Sequence, residues 1–227
     1  RVGGGACIIL SMNLSLDFSQ CRYLRQGYEE FARLMESVET PIVLLEGSRA
    51  AASGELQAME QLAAQLMRAF PRMLARSGNA EGSDQAWARG VNSVAPGRLQ
   101  LVLPVENYRG GAIAPGNQTL ALEEARGDER LAANALSREH HWKTLRQGAQ
   151  AYDGMPDYRK RYLERDALKV LGVKDYHGRP TIPTAALFYL APGKPGGGGT
   201  GHTIRLCEAR QVPFFLDDDW LQWLRDV

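Results

Sequence analysis

The alternation of short apolar runs with amphipathic helical patterns constrains the fold of this chain most strongly. The run "PIVLLEG", residues 41–47, is rich in branched side chains and ends in glycine, which predicts a buried strand that leads into a tight loop. A helical pattern follows, beginning at Ser53 and ending before Pro71. Strands that alternate with helices are typical of a mostly parallel sheet covered on both faces. The predicted fold class is therefore α/β.

The same pattern recurs along the chain. Residues 73–91, "MLARSGNAEGSDQAWARGV", predict a short strand, a loop and a helix, and "RLQLVLPVE" predicts a third strand. Near the end of the chain, "TAALFYLAP" and "VPFFLD" predict two more strands, separated by a glycine-rich loop and a helix. The pattern therefore predicts one sheet whose strands come from segments that are far apart in the sequence.

Two segments depart from this rhythm. In residues 1–40, apolar residues from Phe18 to Val38 recur at alternating spacings of three and four, which predicts an amphipathic helix in an N-terminal segment. Between about residues 106 and 184, Thr119 to Gln150 and Pro156 to Leu171 have a highly charged, helical pattern. We expect residues 41–227 to form one domain, with 106–184 as a helical insertion over one edge of the sheet.

Composition excludes several function classes. Lys and Arg total 27 and Asp and Glu total 26, so the chain lacks the net basic field of non-specific nucleic-acid binders. Its apolar runs, such as "CIIL", are far shorter than the roughly 20 residues that cross a bilayer, so no membrane partner is expected. The cysteines Cys7, Cys21 and Cys207 are scattered and include no C-x-x-C pair. A reduced, cytoplasmic protein with no metal site and no assigned cofactor is the expectation.

Three segments share one layout: the end of a strand, small residues, and the start of a helix. In an open α/β sheet such segments converge at the carboxyl ends of the strands, where ligands bind. Glycine lets backbone N–H groups approach an anion, a helix N-terminus favours negative charge, and an arginine can pair with phosphate. The candidate ligand-binding residues are Gly47, Ser48, Arg49, Ser77, Gly78, Asn79, Gly82, Ser83, Asp84, Gly198, Gly199, Thr200, Gly201, His202 and Thr203.

These motifs carry a family resemblance. The segments "LLEGSRA", "SGNAEGSDQAWARGV" and "GGGGTGHTIRLCEARQVPFF" resemble the Rossmann-like SLOG superfamily, which includes the DNA-processing protein A family and the Lonely Guy phosphoribohydrolases. The resemblance covers roughly residues 41–104 and 185–217. It implies a Rossmann-like parallel sheet flanked by helices that binds nucleotides at these loops. It places phosphate contacts at the first and third loops and the base and ribose near the second.

One departure from that family bears on activity. Lonely Guy enzymes carry an acidic residue just inside the helix of their PGG-x-GT-x-x-E motif, and here no carboxylate follows the glycines before Glu208. No catalytic residue is therefore assigned, and His202 is expected to contact ligand or to cap the helix, with a role as proton donor as the alternative. The sequence also lacks G-x-x-x-x-G-K-[ST] and a clean G-x-G-x-x-G after the first strand, which disfavours P-loop NTPases and ordinary NAD dehydrogenases.

Three functions remain open. The leading one is a sensor or binding protein for a nucleotide-like small molecule, the second is hydrolysis of an N-glycosidic bond in that ligand, and the third is single-stranded DNA binding. The third would use a cluster of four basic residues beside two tyrosines, but carboxylates interrupt it and a solvated helix face is expected there. The basic residues are Arg159, Lys160, Arg161 and Arg165. A homodimer is an assembly that the sequence leaves open.

Overall fold

The computed structural model describes residues 27–173, 181–193 and 198–224, and these form an α/β fold around one parallel sheet. Every strand pairing in the described chain is parallel, and the strand order is β4-β3-β2-β1-β5-β6. The strands are β1 (Ile42–Gly47), β2 (Leu74–Ser77), β3 (Leu99–Leu103), β4 (Gln118–Ala121), β5 (Ala185–Tyr189) and β6 (Phe214–Leu216). The predicted parallel α/β architecture is confirmed.

Helices flank this sheet on both faces. Those before and around its first strands are α1 (Tyr28–Glu36), α2 (Ser53–Ala69) and α3 (Ser83–Asn92). Those after β4 are α4 (Gly127–His140), α5 (Trp142–Gln147), α6 (Gln150–Asp153) and α7 (Asp157–Leu171). The last two are α8 (Gly198–Ala209) and α9 (Asp217–Trp223). Within the described ranges, no helix is both long enough and apolar enough to cross a membrane.

The alternation of side chains along β1 divides the core into two layers. All six residues of β1 are buried, as expected for a central parallel strand. Val43 and Leu45 point into the core beneath α2 and α3, whereas Leu44 points into the core beneath α7 and α8. Glu46, the next residue on the second face, is therefore directed toward α7 and α8 as well.

The predicted N-terminal helix is confirmed over Tyr28–Glu36, and the part that begins at Phe18 lies outside the described residues. Phe31 is fully buried and meets the rings of Phe70, Phe215 and Trp223 at centroid distances of 5.8, 5.7 and 5.1 Å. Helix α1 therefore joins the first core layer and packs beside the C-terminal helix α9.

The segment 106–184 differs from the predicted insertion over one sheet edge. It supplies the edge strand β4, where a helix was predicted to begin at Thr119, and the helix begins only at Gly127. Strand β4 is short and mostly exposed, so it lacks the apolar run by which the other strands were recognised. Helix α7 is predicted correctly, and its Ala167 and Leu168 are buried in the second core layer. The segment therefore completes the sheet and covers its second face.

Strand order places a topological switch point in the middle of the sheet. From β1 the chain proceeds outward through β2, β3 and β4 on one side, and then crosses to β5 and β6 on the other side of β1. In open parallel sheets a crevice forms outside the carboxyl ends of the strands where the order reverses. The crevice is therefore expected at the ends of β1 and β5, near Gly47 and Tyr189, which are register partners.

Candidate ligand-binding site

A cavity of about 500 Å³ opens at this switch point. The ends of β1 and β5, the loop after β2, helix α7 and the first turn of α8 surround it. The predicted site residues that line it are Gly47, Ser48, Arg49, Asp84, Gly198, Gly199 and Thr200. The three segments singled out from the sequence thus meet around one cavity, although only part of each segment faces it.

The first segment joins two strands and a helix. The Ser48 N–H donates to the carbonyl of Tyr189 at 3.0 Å, and the Ser83 hydroxyl donates to the carbonyl of Ser48 at 2.6 Å. A Cβ atom added at Gly47 would lie 2.7 Å from Ser83 Oγ and 2.8 Å from Tyr189 Cβ. Glycine is required at position 47 because β1, β5 and α3 pack closely there. Arg49, by contrast, is exposed at the cavity rim.

The glycines of the second segment are also required by close packing within the protein. A Cβ atom at Gly78 would overlap the guanidinium of Arg165, whose Nη1 donates to the Gly78 carbonyl at 2.8 Å. Gly82 has a φ of +79°, and a Cβ atom there would lie 2.7 Å from the carbonyl oxygen of Arg49. These glycines shape the loop by allowing close packing.

Two polar residues of this segment point away from the cavity. Asn79 is buried in a left-handed conformation with φ of 57°, and its Nδ2 donates to the Tyr108 carbonyl at 3.0 Å. Ser77 is buried within β2 and donates to the carbonyl of Leu45 at 2.8 Å. Asp84 is therefore the side chain of this segment that faces the cavity, together with the small residue Ala80.

The third segment forms the start of a helix where a loop was predicted. Residues 198–203 lie in the first turns of α8, and Gly198, Gly199 and Thr200 line the cavity. The first N–H groups of a helix have no partner within the helix, and the helix dipole adds positive potential beside them. The cavity wall therefore includes a structure that favours an anion.

The later residues of this segment, Gly201, His202 and Thr203, are buried in the body of α8. His202 Nε2 lies 3.3 Å from Ser137 Oγ, and its ring centroid is 5.7 Å from that of His141. Burial lowers the pKa of His202 to about 3, so its imidazole is neutral at physiological pH. His202 thus belongs to the contact between α8 and α4 and is separate from the residues that line the cavity.

A network of buried ionisable residues, which we call the charge chain and which no local sequence pattern marks, lies behind the cavity. Arg165 Nε lies 2.9 Å from Asp166 Oδ1, and Lys169 Nζ lies 3.0 Å from the same oxygen. Lys169 also forms an ion pair with Glu46, and at the other end Arg165 and Asp84 both lie against Gly78. Acidic and basic residues therefore alternate from Asp84 to Glu46, and Glu46, Asp84 and Arg165 line the cavity.

Position within the charge chain determines which carboxyl groups hold a proton. Burial opposes ionisation of Asp166, but Arg165 and Lys169 outweigh it and hold the pKa of Asp166 below its ordinary value. Burial raises the pKa of Glu46 to about 7, and Lys169 offsets this only in part. Burial likewise raises the pKa of Asp84, against the smaller opposing effects of Lys169 and Arg165. The two terminal carboxyl groups are thus the ones whose pKa values burial raises.

Asp84 has an acceptor that the protein leaves unused. Its Oδ2 accepts from the Ala80 N–H at 3.1 Å, whereas its buried Oδ1 has no hydrogen-bond partner among the described residues. A buried carboxylate oxygen without a donor is costly. A ligand in the cavity could provide that donor.

The four basic residues proposed for nucleic acid do not form one surface. The expectation of a solvated face is wrong for Arg165, which is buried in the charge chain. Arg161 pairs with Glu123 at 2.8 Å, and Lys160 donates to the carbonyl of Asp153 at 2.7 Å. Much of the cluster's charge is therefore engaged within the protein.

No known family model matches this chain, and no curated protein is significantly similar to it. The SLOG resemblance therefore depends on the quoted motifs alone. Within the described residues, no cluster of three or more His, Cys, Asp or Glu side chains is arranged to hold a metal ion.

Proposed function

We propose that this protein binds a nucleotide or a nucleotide-derived ligand in the cavity at the β1/β5 switch point. The observation that carries the proposal is the position of the α8 N-terminus: Gly198, Gly199 and Thr200 line a cavity of about 500 Å³ at the carboxyl edge of a parallel sheet. That volume lies within the range of pockets that hold small ligands. Helix N-termini in this position are suited to phosphate.

The charges of the cavity wall favour one orientation of the ligand. Phosphate groups would lie at the first turn of α8, with Thr200 and Arg49 as additional donors. The wall also carries Asp84, whose carboxylate would repel phosphate but accept hydrogen bonds from hydroxyl or amino groups. The sugar or base would therefore face Asp84 Oδ1, and the phosphates would face α8.

Calorimetric titration of the purified protein with AMP, NAD, ADP-ribose and inorganic phosphate tests this function. Saturable binding of at least one nucleotide, more tightly than inorganic phosphate, is expected because both ends of the cavity would then be used. If none of the nucleotides binds, the proposed function is wrong.

A second candidate function is hydrolysis of an N-glycosidic bond in the bound ligand. The observation that favours it is a cavity-lining carboxyl group, Glu46, whose pKa is raised by burial to about 7, since acid and base catalysts work best when they titrate near the working pH. Chromatography of the same mixtures after incubation separates the two functions. Release of free base supports the hydrolase, and unchanged ligand supports a sensor or binding protein.

We also propose a reducing compartment, the cytoplasm, as the location of the protein. Cys207 supports this because it is buried as a free thiol in the second core layer. The other two cysteines, Cys7 and Cys21, lie outside the described residues.

A further inference from the structure

The hydrogen bonds around Glu46 depend on where one proton resides. Thr203 Oγ1 lies 3.0 Å from Glu46 Oε1 and 3.1 Å from the carbonyl oxygen of Gly199. A threonine hydroxyl has a single hydrogen to donate, although its oxygen can also accept. Lys169 occupies the other carboxyl oxygen of Glu46. The two contacts of Thr203 can therefore both be full hydrogen bonds only if Glu46 supplies a second hydrogen.

A protonated Glu46 satisfies every group in this arrangement. The Thr203 hydroxyl then donates to the Gly199 carbonyl, the Glu46 carboxyl donates to Thr203 Oγ1, and Lys169 donates to Glu46 Oε2. An ionised Glu46 would instead compete with Gly199 for the one hydrogen of Thr203. The geometry thus favours the protonated form of Glu46 independently of its burial.

The titratable groups that face Glu46 come from three elements. Helix α7 contributes Lys169, Asp166 and Arg165, helix α3 contributes Asp84, and helix α8 contributes the Cys207 thiol. Burial raises the pKa of Cys207 well above its ordinary value, so the thiol is neutral. When Glu46 and Asp84 are both ionised, three carboxylates face two cations and the charge chain has a net charge of −1. A proton on Glu46 brings that net charge to zero.

This proton is closely connected to the position where an anion would bind. Gly199 lines the cavity in the first turn of α8, and its carbonyl accepts from the hydroxyl that also contacts Glu46. A Cβ atom on Gly199 would lie 3.3 Å from Asp166 Oδ2, so the same turn lies against the middle of the charge chain. The charge of Glu46 and that of an anion bound at this turn would therefore interact strongly, because water screens charges poorly in a buried setting.

We propose that Glu46 is a proton switch for the cavity, which admits an anionic ligand when Glu46 is protonated and repels that ligand when Glu46 is ionised. This inference depends on the proposed function, because it describes how the same site is regulated. The direction of the pH effect on ligand affinity follows from this. Raising the pH through neutrality ionises Glu46, which adds a negative charge beside α8 and weakens binding. By linkage, ligand binding takes up a proton.

The probe for the experiment is ADP-ribose, whose diphosphate diester keeps a constant charge between pH 6.5 and about 9, unlike a phosphate monoester with a second pKa near 6. If the ionised form does not bind, wild-type affinity should fall roughly fifteenfold between pH 7 and 8.5. Glu46→Gln, which cannot ionise, should bind with an affinity that is nearly constant over this range. Glu208→Gln is the matched control, since Glu208 is a partly buried carboxyl group on α8 that does not line the cavity, and it should retain the wild-type pH dependence.

Thr203→Val tests the hydrogen-bond assignment. If protonated Glu46 donates to Thr203, loss of the hydroxyl destabilises the protonated form, and the midpoint of the affinity change moves to lower pH. If Thr203 donates to an ionised Glu46, the midpoint moves to higher pH, which contradicts the proposal.

Titration of the wild-type protein at pH 7.5 in two buffers of different ionisation enthalpy measures proton uptake directly, so the test does not depend on any variant folding. Uptake of a substantial fraction of one proton is expected. Binding without proton uptake, or a pH dependence that persists in folded Glu46→Gln, overturns the switch and leaves the proposed function intact. If neither ADP-ribose nor the other nucleotides bind at any pH, the proposed function and the switch are both wrong.

Discussion

The guanidinium of Arg165 occupies the space that a side chain at Gly78 would need, and it donates to the carbonyl of that glycine at 2.8 Å. The two residues are 87 positions apart in the sequence. A glycine that resembles a ligand-binding loop residue therefore allows the charge chain to reach the cavity.

Gly78→Ala should destabilise the fold. The added methyl group must displace a buried guanidinium that is ion-paired with Asp166, and we expect a loss of about 3 kcal/mol in the free energy of unfolding. Urea unfolding measures this value. Gly97→Ala is the control because a Cβ atom there meets nothing within 4 Å, and its effect should be less than about 0.5 kcal/mol. Equal effects in the two variants would contradict the close packing of Gly78 and Arg165.

Gly199→Val should abolish nucleotide binding while the fold persists. The new side chain would narrow the anion site at the first turn of α8 and approach Asp166 Oδ2. We expect the dissociation constant for ADP-ribose to rise at least about tenfold, or about 1.4 kcal/mol, with little change in the circular dichroism spectrum. Gly127→Val, at the open start of α4, should bind as the wild type does. Unchanged affinity in a folded Gly199→Val protein would place the ligand elsewhere.

Asp84→Asn should weaken nucleotide binding without weakening the binding of inorganic phosphate. The amide retains an oxygen for the Ala80 N–H, but presents donors where Asp84 Oδ1 offers an unused acceptor. We expect about a tenfold loss of affinity for AMP, measured by calorimetry. Equal losses for AMP and phosphate would indicate that Asp84 acts only through the structure of the loop.

Acid should destabilise the protein through its buried histidines. Burial lowers the pKa of His202 to about 3 and that of His141 to about 4, both below the unfolded value near 6.5. The unfolded chain therefore binds more protons at these histidines in this range, and their contribution to stability falls as the pH drops below about 6.5. Glu46 acts in the opposite direction, because its pKa is raised in the folded state.

Comparison with His202→Gln isolates the histidine effect, since Glu46 is present in both proteins. Between pH 7 and pH 5, the free energy of unfolding should fall by about 2 kcal/mol less in the variant than in the wild type. Urea unfolding at the two pH values provides the measurement. Parallel changes in the two proteins would indicate that the His202 imidazole is protonated in the folded state.

Single-stranded DNA should bind weakly and lose affinity near physiological salt. Arg165 is buried and Arg161 is paired with Glu123, so few free cations of this cluster remain to contact phosphates. Fluorescence anisotropy with a labelled oligonucleotide at about 50 and 150 mM salt tests this. Tight binding at the higher salt, lost in Arg161→Glu, would restore the nucleic-acid alternative.

The sequence allowed the strands of the central sheet to be predicted because their apolar runs are distinct. Strand β4 was missed because Gln118 and Thr119 are exposed at the edge of the sheet and give no apolar run. Helix α7 was predicted from the sequence, but the burial of its charged residues was not. Asp166 and Lys169 lie among its buried residues, and charged side chains are normally read as solvent-facing.

The position of the site was predicted, but its buried charged residues were not, for a related reason. Backbone features such as the glycines and the start of α8 have local sequence signals, so the cavity's position could be expected. The charge chain joins β1 to α7 across 123 positions between Glu46 and Lys169, and no local pattern marks such a pair. The one available signal was Glu46 itself, a carboxylate at the end of an apolar strand.

The pairing of β1 with β5 has a consequence for synthesis of the chain. Val43 lies opposite Ala185, so one side of the strand at the centre of the finished sheet remains an unpaired edge until the ribosome has made β5. Its residues Ile42 to Leu45 are all apolar, and an exposed apolar edge can pair with other chains. Fragments that end before residue 184 should therefore aggregate, and slow translation of the segment before β5 should lower the yield of soluble protein.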